Sequence, residues 1–276
     1  MPEGDTIFRT ADALRRWLAG RVVTAAQARS PGVDAAALVG ATVGPIEARG
    51  KHLLMTFARE PRAPDLVLRS HMRMTGSWHV YSAGDAWQRP QRQSTVVIRA
   101  GDRLAVGFNV PVIELTSLSD LRRVAALTAL GPDVLAGPLD AVAAVRRARA
   151  WPSDRALGEL LLDQRVVAGI GNVFRCEALF LDGLHPWTTL GQIGDATLAG
   201  LLVRSAALLV ASVGSAPGRD DLGGALGRDF GLGPGRTWVY GRSGRPCRRC
   251  ATLVVSRRQG EQARTAYWCP TCQPLA

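Results

Sequence analysis

Lysine is all but missing from this chain. Of its 34 basic residues, 33 are arginine and one, Lys51, is lysine. Asparagine occurs only at Asn109 and Asn172, and histidine four times. The richness in Ala, Arg and Gly points to a GC-rich genome, in which arginine replaces lysine wherever a cation alone suffices. A lysine that persists then marks chemistry a guanidinium cannot do. Acidic residues are also short, 23 against 34 basic, leaving a formal net charge of +11. A polyanionic partner follows, nucleic acid ahead of membrane, because no basic amphipathic helix stands out. No uninterrupted run of about 18 apolar residues occurs. The best stretch, Leu198 to Val213, is broken by Arg204, so no transmembrane helix is expected. Met-Pro-Glu-Gly-Asp has no basic region ahead of an apolar one, so no secretory signal is expected, and the cytoplasm is the expected compartment. Wholesale disorder is excluded by 47% hydrophobic and 21% charged residues over 276 positions.

That length suggests about two domains. Residues 5–19 read as a helix, with Asp5 as cap, Phe8, Ala11, Leu14 and Leu18 as the apolar stripe, and Gly20 as the stop. Short β-type runs follow to Leu115, among them Lys51–Phe57, Asp65–Ser70, Ser77–Tyr81, Thr95–Arg99, Arg103–Phe108 and Val112–Leu115. Their spacing predicts an antiparallel sandwich or barrel. After a linker over 117–135, helices are predicted at 139–149, 155–164, 172–182 and 195–213. Residues 214–235 hold eight glycines and two prolines and read as a mobile loop.

The last 41 residues form a cysteine-bearing tail. Four of the five cysteines fall as Cys247-x-x-Cys250 and Cys269-x-x-Cys272, with 18 residues between the pairs. Each C-x-x-C turn presents two thiolates, so the spacing predicts one tetrahedral structural zinc, with a hairpin of Thr252–Val255 and Thr265–Trp268 closing the site. Disulfides are the alternative, and a reducing cytosol disfavours them. Cys176, within an apolar helix pattern, reads as a small core residue. From Arg236 onward the tail carries eight arginines against one acid, Glu261, a net of +7. Four thiolates on one Zn²⁺ bring this to about +5, which suits a contact with DNA backbone.

Two further places draw attention. Around Gly169-Ile170-Gly171-Asn172, two helices flank a turn, and Asn172 is placed to cap the second, a phosphate-sized anion site. At the start, Pro2 would become an N-terminal secondary amine once Met1 is removed, with Glu3 beside it. An α-amine is partly neutral near pH 7. It can attack a carbonyl-like carbon to give an iminium, while the carboxylate moves protons. Pro-Glu taken alone reads as an ordinary N-terminus.

Pro2-Glu3-Gly4, Gly50-Lys51, His71-Met72-Arg73-Met74-Thr75-Gly76, the Leu161–Val173 stretch and the four-cysteine tail occur in that order. On these motifs the chain closely resembles, over essentially its whole length, the formamidopyrimidine-DNA glycosylase/endonuclease VIII (Fpg/Nei) family. The Pro-Glu-Gly opening is closer to the endonuclease VIII branch.

The resemblance implies an α+β fold: an N-terminal β-sandwich flanked by helices over 2–116, a linker over 117–135, a helix-two-turn-helix domain with its loop over 136–235, and a zinc finger over 236–276. It implies a monomer acting on damaged DNA in the cytoplasm, at the nucleoid, with one structural zinc as its cofactor. Pro2 matches the nucleophile at C1′, Glu3 the acid/base, and Lys51 a phosphate contact that supports catalysis. Asn172 and Arg264 match phosphate ligands, Arg264 counting also with the catalytic set. Met74, flanked by Arg73 and Thr75, matches the wedge that fills the hole left by a flipped nucleotide. The activity implied is excision of oxidised bases, pyrimidines first, with β,δ-elimination of the strand. One departure stands out. Members commonly read Pro-Glu-x-Pro-Glu, and this chain has Asp5-Thr6 where the second acid belongs. A silent DNA-binding module and a purine-directed (8-oxoguanine) glycosylase remain open. The 214–235 loop is the expected lid that would decide base preference.

Overall fold

The computed structural model describes residues 2–59, 63–214 and 228–275. They divide into two compact units, one running through Thr128 and the other beginning at Ala129.

The first unit opens with helix α1 (Gly4–Leu18). Its buried stripe is Ile7, Ala11, Leu14 and Leu18, spaced four, three and four residues apart as a 3.6-residue period requires. The predicted stripe began one residue late, at Phe8, which is only half-buried. Glu3, not Asp5, is the N-cap. Gly20 ends the helix at φ +77° and donates its N–H to the Val43 carbonyl.

Two four-stranded antiparallel sheets follow. One runs β1 (Val23–Ala28), β6 (Ser94–Ala100), β7 (Arg103–Phe108), β5 (Ser77–Ser82). The other runs β2 (Thr42–Arg49), β3 (His52–Ala58), β4 (Leu66–His71), β8 (Val112–Ser117). Val96, Ile98 and Ala100 of β6, Leu53, Met55 and Phe57 of β3, and Trp78 share one core, the period-2 facing that strands impose. Trp78 is fully buried and places its indole N–H on Ser70 Oγ at 3.1 Å. Arg15 ties α1 to β2 through two bonds to the Ile46 carbonyl, at 3.2 and 2.7 Å. This is the β-sandwich the sequence predicts. The stretch read as linker carries a 3-10 turn (Asp120–Arg123) and one turn of α-helix, α2 (Ala125–Thr128).

The second unit packs α3 (Ala141–Arg149), α4 (Leu157–Leu160), α5 (Asn172–Leu181) and α6 (Asp195–Gly214) around Leu157, Leu160, Phe174, Leu198 and Leu202. α4 is a single turn rather than the predicted 155–164. The chain leaves it to build the turn described below. α6 is long and apolar enough to cross a bilayer, but Leu198, Leu201, Leu202 and Leu209 are wholly buried in this core and Arg204 pairs with Asp182. It is a core helix.

Strands β9 (Val255–Gln259) and β10 (Arg264–Trp268) form the tail hairpin. Its first strand starts later than predicted. Residues before Val255 are used to present thiols, with Cys247 N–H on the Thr252 carbonyl at 2.8 Å and Ala251 at φ +65°. Gln273 bonds the Leu184 carbonyl, Gln259 bonds the Pro186 carbonyl, and buried Glu177 accepts the N–H groups of Trp238, Val239 and Tyr240. Finger and helices are therefore one compact unit. Most of the loop expected to be mobile, residues 215–227, lies outside the described residues. The rest is held in place. Asp229 accepts three N–H groups from residues 231–233, and Phe230 packs on Phe174.

Candidate catalytic and DNA-contact residues

Pro2 is half-buried at the start of α1, and Glu3 behind it is fully buried. As N-cap, Glu3 lies at the positive end of the helix dipole, a place that favours a carboxylate. Asp5 is fully buried too, and Arg9 grips it at 2.8 Å across one helical turn. A second acid is therefore present near the start, one position earlier than the family pattern and already committed to an arginine.

Lys51 is half-buried in the turn between β2 and β3, after Gly50 at φ +57°. The next residue, His52, pairs across the strands with His71, the last residue of β4. Their rings meet edge-on, 4.8 Å apart. Arg69 lies 3.0 Å from His52 Nδ1 and is itself held by Glu114 at 2.6 Å. Guanidinium only donates, so His52 Nδ1 accepts and the ring is neutral. Burial, then the charges of His71, Arg69 and Lys51, lower the His52 pKa to about 3. Burial, then Lys51, Arg73 and Arg69, lower that of His71 to about 4. From the sequence both histidines read as structural or DNA-facing, with no catalytic proton assigned to either. The available signal was that His71 opens the His-Met-Arg-Met-Thr-Gly run.

Beyond His71 the chain turns sharply between the two sheets. Met72 is buried, Arg73 sits at φ +46°, and Met74 is 52% exposed. Gly76 closes the turn with its N–H on the Met72 carbonyl at 2.8 Å. A Cβ at Gly76 would stand 2.7 Å from that oxygen, so only glycine fits. Thr75 Oγ1 donates to the Asn109 carbonyl at 3.3 Å.

In the second unit Gln164 shapes the turn before α5. Its amide donates to the Leu162 and Ile170 carbonyls and accepts from Gly169 N–H, all within 3.0 Å. Asp163 binds Arg165 at 2.7 Å and Arg155 at 3.4 Å. Asn172 does not cap α5. Gly171 is the N-cap, and Asn172 Nδ2 donates to the Thr265 carbonyl of β10 at 2.9 Å. Its buried Oδ1 has no hydrogen-bond partner. Asn172 is thus brought beside Arg264, the residue before Thr265. Arg264 lines a cavity of about 720 Å³ between residues 151–165 and the hairpin tip.

Cys247, Cys250, Cys269 and Cys272 place their sulfurs within 4.8 Å of one another, a cluster able to hold a metal ion. Among the described residues all five cysteines are free of disulfides, and Cys176 is buried in the core. Hydrogen bonds from Thr252 lower the Cys250 thiol pKa to about 6.

A sandwich carrying this N-terminal acid, joined to a helix-turn and a four-cysteine hairpin, has the parts of a DNA-processing enzyme, and comparison with known proteins gives the family. Residues 1–126 match the model of the formamidopyrimidine-DNA glycosylase N-terminal domain, and residues 130–218 that of the H2TH domain. A Streptomyces coelicolor protein named "Probable endonuclease 8 2" is 41% identical over 276 residues, covering 99% of this chain and 94% of that one. The Mycolicibacterium smegmatis "DNA-(apurinic or apyrimidinic site) lyase Nei2" is 37% identical, covering 99% of each. The Lactococcus lactis Fpg, solved in complex with DNA containing an abasic site, shares the fold at a TM-score of 0.81 and 23% identity, over 100% of this chain and 99% of that one. The chain belongs to the formamidopyrimidine-DNA glycosylase/endonuclease VIII family, the bifunctional glycosylase/AP lyases of base excision repair.

Proposed function

We propose that this protein removes oxidised pyrimidines from DNA through an iminium between the Pro2 amine and C1′, then cuts the strand by β,δ-elimination. The observation that carries this reading is the half-buried Pro2 backed by a fully buried carboxylate, Glu3, at the head of α1. In the proposed course the Pro2 nitrogen attacks C1′ and the damaged base leaves. The C1′–N bond becomes an iminium as the sugar opens, with Glu3 moving the proton to and from the ring oxygen. Elimination of the phosphates on either side then follows, and water returns the free amine. Lys51 holds the phosphate beside the lesion as a compact cation. Asn172 and Arg264 hold flanking phosphates. Met74, with Arg73 and Thr75, fills the vacated stack.

We assign the metal as one structural zinc. A tetrahedral ion with Zn–S of about 2.3 Å needs sulfurs about 3.8 Å apart. Three of the pairs lie at 3.4 Å (Cys250–Cys269), 3.5 Å (Cys250–Cys272) and 3.9 Å (Cys247–Cys272). Four thiols leave no open position, so the ion braces the hairpin that carries Arg264 and takes no part in the chemistry. The place of action is the bacterial nucleoid, in the cytoplasm. Excision measured over a panel of oxidised pyrimidines and purines in duplex oligonucleotides tests the substrate assignment. Pyrimidine lesions should be released fastest. Release of 8-oxoguanine ahead of every pyrimidine would overturn it.

A further inference from the structure

The sharp turn that presents Met74 must hold an unfavourable backbone conformation before DNA arrives. Arg73 lies at φ +46°, a region side-chain-bearing residues rarely adopt. Its N–H therefore points away from any strand ladder and needs an acceptor. His71 supplies it, with Nδ1 accepting the Arg73 N–H at 3.1 Å. A ring two residues upstream thus does what an Asx side chain does in a local turn. The same ring stands edge-on to His52, which is held by Arg69, which is held by Glu114. The turn is in this way keyed, through side chains of β4, β3 and β8, to the strand that begins just after Lys51. On the far side Thr75 is tied to the Asn109 carbonyl, and Asn109, one of only two asparagines, is itself at φ +47°.

We propose that His71 is a positioning residue for extrusion of the damaged nucleotide: its neutral Nδ1 fixes the turn 72–76 so that Met74 is pre-set to enter the stack while Lys51 holds the phosphate. This inference rests on the reading of Met74 as the wedge. The neutral state it needs is the state observed, because a backbone N–H can bond only an unprotonated nitrogen. Burial and the cations Lys51, Arg73 and Arg69 keep it so. The described side-chain hydrogen bonds at the turn, from His71 and Thr75, are made within its own domain.

The test compares strand cleavage at an abasic site in a fully paired duplex with the same site inside an unpaired bubble, under single-turnover conditions. His71→Phe keeps a ring against His52 and removes the acceptor. His71→Asn restores a short acceptor for the same N–H. Met74→Ala serves as the reference. His71→Phe should slow duplex cleavage by about tenfold or more, the scale of a sub-ångström misplacement, and slow bubble cleavage far less. His71→Asn should recover most of the loss. Equal losses on both substrates, or no loss on the duplex, would overturn the proposal. Duplex cleavage by Met74→Ala equal to wild type would instead remove the wedge reading beneath it, a result separable from any His71 effect. If His71→Phe does not fold, the paired-to-bubble ratio of His71→Asn against wild type and His71→Ala decides the same question.

Discussion

His52 and His71 face each other between β3 and β4, and both titrate well below an ordinary histidine, at about 3 and about 4. An unfolded chain takes up their protons near pH 6.5. Between that value and 4 the unfolded state therefore binds more protons than the folded one. The pair's contribution is complete above pH 6.5 and is lost as the pH falls through that window. The limiting slope is about 1.4 kcal/mol per pH unit for each ring, less where solvent screens it. Chemical denaturation between pH 7 and 4.5 should show this loss, and His52→Phe should flatten it. An unchanged profile in that variant would mean the rings are not neutral in the fold. Lys51 provides the second prediction at this scale. Lys51→Arg keeps the charge on a longer planar group, so folding and metal content should match wild type while base excision falls strongly. Wild-type excision rates would show that any cation serves there. Lys51 was legible as the only lysine. The histidine pair was not, because its members are neighbours only through the β3–β4 register. Nor was the true bond of Asn172, whose partner lies 93 positions along the chain.

Elements were legible where one pattern governs them and misplaced where a second demand intrudes. The first stripe of α1 shifted by one residue because Ile7 and Phe8 are both apolar and only packing decides between them. β9 moved toward the hairpin tip because Cys247–Cys250 and Thr252 are engaged in presenting thiols. α4 stops after Leu160 because Asp163 and Gln164 bond the turn itself rather than continue a helix. The four-cysteine cluster was read at full strength from spacing alone. Structural zinc in such hairpins contributes on the order of 10–16 kcal/mol. Cys250→Ser should therefore lose metal and DNA binding together, while the sandwich, which has its own core, still unfolds cooperatively by circular dichroism. Elemental analysis of native protein purified without zinc supplement should give about one zinc per chain. A metal-free native protein with an intact tail would contradict the assignment.

At the scale of the molecule, the charge of +11 and the family place the partner as DNA, while composition is silent on which damaged base is taken. The central claim is the chemistry of the first residue, and it is open to one direct measurement. An iminium between Pro2 and C1′ is reduced by borohydride to a stable amine, so the protein becomes covalently joined to abasic DNA. With Met1 removed, the adduct should form in good yield and map to the N-terminal peptide. With Met1 retained the Pro2 nitrogen is an amide without an available lone pair, and trapping should vanish while DNA binding persists. An adduct mapped to Lys51, or none at all from a fully processed chain, would contradict the mechanism.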